Sequence, residues 1–459
     1  MPGKPIVSFV SLGCFKNTVD TEVLGGMLVE RGAAIVSEYE DADWLVINTC
    51  AFIRDAKEES IQEILAALDR KVKGETRHLA VFGCLVQRYR RDLQQSFAGV
   101  DILWGVNDLE ELAEAICNDR RPAYADRGLF LYGDRNRRIV TTPANTTFIK
   151  ISEGCDMHCS FCSIPAIRGP FRSRPIDSIV IEAERYRAAG VAELNLISQN
   201  STAYGRDLAE RPLLAELLSR LSIIGFSWIR VLYLMPEAVD EAMIEGFARP
   251  GVLPYFDLPF QHVTPKILKK MNRGGSLEKN LALVRAIRRR FPEAVIRSSF
   301  IVGFPGETAA DFKQLLKFAR DARIERIGVF AYSAEEGTPA FGLAGAVPPA
   351  VALRRREELL DCSDANLADY NRRLRGTTQE FLPQAPWDNN STIGRIASQA
   401  PEVDGLTRLE TPFDAPGNPL PVKIAGFAHE LLLAQQVRAE RAVPVRAERP
   451  KSLRGRKKK

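Results

Sequence analysis

At 459 residues the chain is about three times a typical domain of roughly 150, so two to four domains with ample core are expected rather than one. With 45% hydrophobic and 26% charged residues the composition is globular and excludes a disordered, collagen-like or coiled-coil chain; eight cysteines are too sparse for a disulfide scaffold and point to a reducing compartment. The net charge of +5 is local, since Arg438 to Lys459 carry ten basic and two acidic residues against 53 and 56 in residues 1–437.

No stretch approaches the roughly 18 uncharged apolar residues of a spanning helix. The opening MPGKPIVSFVSLGC reads as a buried strand rather than a signal peptide, so a cytoplasmic protein without a membrane partner is expected. Residues 5–118 alternate short apolar runs (PIVSFVSLG, ADWLVINT, RHLAVFG) with helical periods near Thr18–Glu30, Arg54–Lys71 and Leu109–Ile116, the pattern of a parallel sheet with crossover helices. We take residues 1–135 as this N-terminal α/β domain. The charged, turn-rich stretch DRGLFLYGDRNRRIVTTPAN shows neither period and is expected to be a linker.

From Thr146 to about Tyr332 six candidate strands recur (TFIKI, ELNLIS, WIRVLYL, YFDLPF, VIRSSFIV, IGVFAY), which suggests a partial (β/α)6 barrel within residues 142–375. Chemistry should lie at the C-terminal ends of its strands, where Cys155, Gln199 and Asn200, Glu237, Gln261 and His262, Glu307, and Ser333 follow in turn. A helix near Val351–Leu374 comes next, and residues 376–437 read as a small all-β module. The fold class expected is thus α/β multidomain with a C-terminal β-barrel. The end, 438–459, has no apolar period and is read as a disordered cationic tail, either solubilising or drawn to RNA and ribosome surfaces by salt-sensitive attraction.

Cys155, Cys159 and Cys162 stand in EGCDMHCSFCSIPAIRGPFRSRP directly after a strand, with three and then two residues between them. Zinc prefers four ligands, commonly as two separated pairs, and no fourth follows at that spacing, although His158 could be invoked. Three thiolates on one loop suit an iron–sulfur cube with one iron left open. Cys14, Cys50 and Cys84 are far apart, yet each ends an N-terminal strand, in FVSLGC, LVINTC and VFGC. Parallel strands bring such ends to one edge, so the three thiolates could converge there; the alternative is three buried small hydrophobes. Cys117 and Cys362 lie in predicted helices without a motif and are read as packing residues.

The CxxxCxxC loop after the first strand of a partial barrel resembles the signature of the radical S-adenosylmethionine (SAM) enzymes. There the resemblance implies a cluster whose open iron binds SAM and whose electron cleaves the sulfonium, with Cys155, Cys159 and Cys162 as ligands. The order of an α/β domain with three strand-end cysteines, a radical SAM barrel and a small β module resembles the methylthiotransferases over about residues 5–437. That likeness implies a second [4Fe–4S] cluster on Cys14, Cys50 and Cys84, a second SAM as methyl donor, a sulfur source, a reductant of flavodoxin or ferredoxin type, and a C-terminal TRAM-like barrel that contacts the substrate.

The family divides between tRNA adenosine enzymes and enzymes acting on the β-carbon of an aspartate in small-subunit ribosomal protein twelve. CSIPAIRGPFRSRP, shared in outline with the tRNA branch, together with RVLYLMPE, FDLPFQHV and the more discriminating IGVFAYSAEEGTPA and GRIASQAPEVDG, resemble the ribosomal-protein branch. Gln199–Asn200 resembles a pair carried by the tRNA branch. A rival of another class is a ribosome- or RNA-binding factor with a structural metal. The module's start, TTQEFLPQAPWDNN, lacks the alternating strand that opens a TRAM barrel, so a shortened or repositioned first strand is expected.

Within that framework the turn in FIVGFPGET lets backbone approach an adenosyl group, which makes Gly303 and Glu307 candidate SAM contacts. Gln199 is the candidate partner of SAM's methionine part. Gln261 and His262 are expected at the barrel mouth, His262 either as a cavity group or as a satisfied structural histidine. Arg168, Arg172 and Arg174 could neutralise a cluster or a carboxylate substrate by forked hydrogen bonds, or lie on the surface. His78 and His429 are read as without function.

Overall fold

The computed structural model describes residues 4–39, 42–122 and 129–437; the cationic tail lies outside them. Five parallel strands form the first sheet: β1 (Ile6–Ser11), β2 (Ala34–Val36), β3 (Trp44–Thr49), β4 (His78–Gly83) and β5 (Ile102–Trp104), in the order β2-β1-β3-β4-β5. The central strand, WLVINT, is buried along its whole length, as an uninterrupted apolar run in a parallel sheet must be. Helices α1 (Phe15–Glu30), α2 (Arg54–Lys73) and α3 (Cys84–Ser96) make crossovers, and α4 (Leu109–Cys117) follows β5. The first helix is buried nearly all round, from Phe15 to Leu28, because its outer face meets the next domain. Phe15 stacks on Phe148 at 4.4 Å.

Residues 129–145 of the stretch expected as a linker form a strap, half-buried over most of its length, that runs between the two domains. Arg138 reaches Glu22 of α1 at 2.6 Å and Glu182 at 2.7 Å, so one guanidinium joins two domains. Tyr132 is fully buried and its hydroxyl accepts from the Lys150 amide at 3.0 Å. Gly26 of α1 is glycine because a Cβ there would overlap the Arg137 carbonyl where the strap crosses.

The central domain opens with β6 (Thr146–Lys150); a short antiparallel pair, β7 (Ser152–Glu153) and β8 (Arg172–Ser173), brackets the cysteine loop and helix α5 (Ile164–Arg168), and α6 (Ile176–Ala188) follows. Strands β9 (Glu193–Ile197) and β10 (Trp228–Val231) join β6 in a parallel sheet ordered β10-β9-β6. Strands β11 (Tyr255–Asp257), β12 (Val295–Val302) and β13 (Arg326–Ala331) form a second one, and a parallel bridge between Ile229 and Val252 links the two. This is the partial six-stranded barrel, whose strand residues Ile149, Leu196, Val231, Phe256 and Phe300 pack in one core with helix residues such as Ile179, Leu217 and Phe318.

The long helix Pro349–Leu374 leads to a closed barrel of β14 (Thr378–Asp388), β15 (Ser391–Ile396), β16 (Thr407–Leu409), β17 (Leu420–Ala428) and β18 (Leu431–Gln436), in the order β14-β15-β16-β18-β17. The expectation of a shortened first strand is corrected here: with 11 residues β14 is the longest of the five. Its register against β15 shifts at Pro383/Ala385 and again at Pro386/Asp388. Bulges accommodate the prolines and break the apolar alternation that would have revealed the strand. The closed barrel seats on the starts of the central strands. Buried Arg395 pairs with Glu193, Arg230 meets the same carboxylate at 3.2 Å, and Tyr255 donates to Asp404 at 2.7 Å. No described helix is long and apolar enough to cross a membrane.

Candidate active site

Where the C-terminal ends of the first sheet face those of the central barrel lies a cavity of about 530 Å³, lined by Cys14, Cys50, Cys84, Cys155, Cys159 and Cys162 together. The first three converge because β1, β3 and β4 are neighbours in the sheet and each thiol directly follows its strand or opens the next helix. Gly13 and Gly83, both at positive φ, let the chain turn there: a Cβ on Gly13 would lie 2.7 Å from that of Cys50, and one on Gly83 would overlap Asn48. Asn17 clamps the edge, its amide donating to Leu12 and Thr49 carbonyls at 2.8 and 3.1 Å.

The loop trio is held locally. Gly154, at φ +82, allows the Pro170 carbonyl to approach; the Cys155 amide donates to Gly169 at 3.2 Å and the Ser160 amide to Met271 at 2.9 Å. Burial pushes the Cys50 thiol up to about 12, with Cys84 beside it adding to the rise. Burial does the same to Cys162, also to about 12, with Cys159 and Cys155 adding. Such thiols ionise only against strong positive charge, and each trio offers three soft donors, which suits an iron–sulfur cluster with one iron open. No three His, Cys, Asp or Glu among the described residues could share a single metal ion; a cube spreads its thiolates over separate irons.

A buried ionic chain ties the two trios. Arg168, at the end of the helix after the cysteine loop, donates to Cys84 Sγ at 3.3 Å, to Asn17 Oδ1 at 2.7 Å and to Asp20 at 2.6 Å. Lys150 bridges Asp20 and Glu153, and Gln199 donates to Glu153 at 2.6 Å. Burial would raise the Glu153 carboxyl, but Lys150 and Arg168 outweigh it and hold it at about 2. Gln199 lines this cavity, and its Oε1 is buried without a hydrogen-bond partner.

Gly303 and Glu307 are not among the residues that line this cavity. Gly303, at φ +75, is glycine because a Cβ would overlap Ala352 of the long helix. Glu307 turns inward to the Gly303 amide and to Arg355 at 2.9 Å. Ile301 and Ser299 face the cavity instead. His262 is fully buried, its Nδ1 accepting from the Thr264 amide at 3.0 Å, and is not among the lining residues, whereas Gln261 is. Arg174 pairs with Glu182 at 2.6 Å away from it.

Several lining residues escaped the sequence reading: Lys16, Tyr233, Asp257, Arg273 and Arg297. Lys16 could have been found from its position two after Cys14. Tyr233 carried no signal, and it shares positive φ with Gln261 and His158, three non-glycine residues that line the cavity.

Residues 149–319 match the family model described as the Radical SAM superfamily, and residues 6–105 that described as Uncharacterized protein family UPF0004. The solved structure of the radical S-adenosylmethionine methyltransferase TsrM from Kitasatospora setae, with cobalamin and a [4Fe-4S] cluster bound, shares the fold at TM-score 0.55 and 17% identity, covering 73% of this chain and 77% of that one. Partial barrel and loop trio thus define a radical SAM enzyme. Ribosomal protein uS12 methylthiotransferase RimO of Geobacter sulfurreducens is 41% identical over 88% of this chain and 92% of its own, and that of Solibacter usitatus 42% identical over 88% of each. The chain belongs to this methylthiotransferase family, whose cofactors are SAM and [4Fe–4S] clusters.

Proposed function

We propose that the protein adds a methylthio group to the β-carbon of an aspartate in ribosomal protein uS12, within the cavity between its two cysteine trios. The observation that carries this is that six thiols from two domains line one cavity of about 530 Å³. Cys155, Cys159 and Cys162 would hold the cluster that binds SAM, and Cys14, Cys50 and Cys84 the second. When bound, these groups supply the electron that breaks the sulfonium and a site from which sulfur reaches the substrate. The chain's own residues do the rest. Phe15, Phe52, Phe161, Ile301 and Phe330 give the cavity apolar walls that exclude water from a reactive radical. Gln199, which lines the cavity, would accept from SAM's ammonium.

The same reading divides the chain at 1–135, 142–375 and 376–437. It assigns a flavodoxin- or ferredoxin-type reductant and a cytoplasmic location, and gives the closed barrel and the tail 438–459 the contact with ribosomal RNA.

The test is mass spectrometry of small-subunit proteins and tRNA nucleosides from cells with and without the gene. Loss of one SCH2 unit from uS12 is expected. Loss of a methylthio group from tRNA adenosine instead would move the substrate to the tRNA branch. The purified enzyme should carry about eight irons and form 5′-deoxyadenosine from SAM, whereas a binding factor with a structural metal would do neither.

A further inference from the structure

Four Lys or Arg side chains line the cavity: Lys16, Arg168, Arg273 and Arg297. Three are already paired. Arg168 meets Asp20 at 2.6 Å, Arg273 grips Glu237 through Nε and Nη2 at 2.6 and 2.9 Å, and Arg297 meets Asp257 at 3.2 Å. Lys16 is different. Its ammonium lies 3.1 Å from the centroid of the Tyr233 ring, and no carboxylate among the described residues pairs with it.

That placement works against stability in two ways. Lys16 is only 8% exposed, so its ammonium gives up most of its hydration in return for the ring and hydroxyl of Tyr233. It is also the second residue of α1, whose first turn holds no acidic residue, so a cation sits at the positive end of the helix dipole. The ring of Tyr233 offsets part of the cost. The carboxylates nearby are engaged: Asp257 accepts from Arg297 and the Tyr233 amide, and Glu335 from Lys57 and Arg88 at 2.6 and 2.8 Å. Lys16 is thus the one Lys or Arg of the cavity wall that no carboxylate among the described residues engages.

We infer that Lys16 is the carboxylate receptor of the cavity, holding the side-chain carboxylate of the target aspartate so that its β-carbon faces the space between the two trios. The inference rests on the uS12 reading and supplies what that reading lacks, a reason for an acidic side chain to be selected. An adenine base presents no carboxylate for such a lysine.

The experiment uses the full, cluster-reconstituted enzyme with uS12 and with uS12 whose target aspartate is changed to asparagine. Lys16→Met removes the charge at similar length, and Lys16→Arg keeps it. Iron content and SAM cleavage report that each variant is folded. Lys16→Met should raise KM for the aspartate substrate about 10- to 100-fold. It should leave binding of the asparagine substrate and of SAM unchanged, and Lys16→Arg should restore part of the loss. Equal loss on both substrates, no loss, or weakened SAM binding would overturn the assignment, the last by giving Lys16 to the methionine carboxylate. If wild-type enzyme leaves uS12 unmodified, the functional reading itself fails; if it modifies uS12 and Lys16→Met is indifferent, only this inference does.

Discussion

Cys155, Cys159 and Cys162 come from one loop whose shape is fixed by its own turns, with Gly154 meeting Pro170 and the Cys162 amide donating to the Cys159 carbonyl at 3.0 Å. Cys14, Cys50 and Cys84 come from three strands, and nothing local holds them together; their convergence depends on the order β1-β3-β4 and on the Asn17 clamp. A local site tolerates damage elsewhere in the fold, while a site assembled from a sheet is only as sound as the sheet. The two trios should therefore fail separately. Cys159→Ala is expected to abolish 5′-deoxyadenosine formation, and Cys50→Ala to spare it while stopping methylthio transfer, each with about four irons left per chain of an initial eight. Loss of SAM cleavage in both would show that the trios act as one unit.

Glycine substitutions sharpen the same contrast through the backbone. Gly83→Ala places a Cβ against Asn48 and the Thr49 backbone at φ +104, and Gly154→Ala places one against the Pro170 carbonyl. Each should cost about 2–4 kcal/mol in denaturant unfolding. Gly83→Ala should lose the strand-end iron and keep SAM cleavage, and Gly154→Ala should do the reverse; iron content paired with 5′-deoxyadenosine yield reads both.

Arg168 is where the separation breaks down, since it rides on the loop trio's helix and donates to Cys84 of the other. Arg168→Met leaves Asp20 and Glu153 short of a buried partner and should cost about 3–5 kcal/mol. The same cluster sets an acid limit. The Glu153 carboxyl, ordinarily near 4.5, sits at about 2 in the fold, so its stabilisation is complete above about pH 4.5 and is lost as pH falls towards 2. Unfolding midpoints of the metal-free protein should drop across that window, and Glu153→Gln should flatten the slope; an unchanged slope would show that Glu153 is not held low.

The same division explains what could be read from sequence. The loop trio is legible because its spacing is its geometry, and the strand-end trio because each thiol follows an apolar run that burial requires. Helix α1 begins at Phe15, three residues before the start expected from its period, because Cys14 caps it in extended conformation without a side-chain bond and no Ser, Thr or Asp marks the place. The strap around Tyr132 and Arg138 was illegible because its burial is supplied by partners from α1 and α6, which no local period records. Strand β14 was hidden by its bulges. Lys16 was hidden by its own type, since a lysine in a helix is ordinarily solvated.

The smallest effect separates a group behind the cavity wall from one on it. Glu307 spends one oxygen on the Gly303 amide and Arg355, and its other lies 3.5 Å from His262, so its carboxylate serves the junction with the long helix. Glu307→Gln keeps the shape and removes the charge facing Arg355, which should cost about 1–3 kcal/mol of stability and leave the Kd for SAM unchanged. Gln199→Leu removes a polar side chain from the cavity lining and should weaken SAM about tenfold. Calorimetry of SAM binding to the two variants decides the matter: if Glu307→Gln weakens SAM as much as Gln199→Leu does, the carboxylate reaches the cofactor despite its inward partners, and the turn after β12 belongs to the binding site after all.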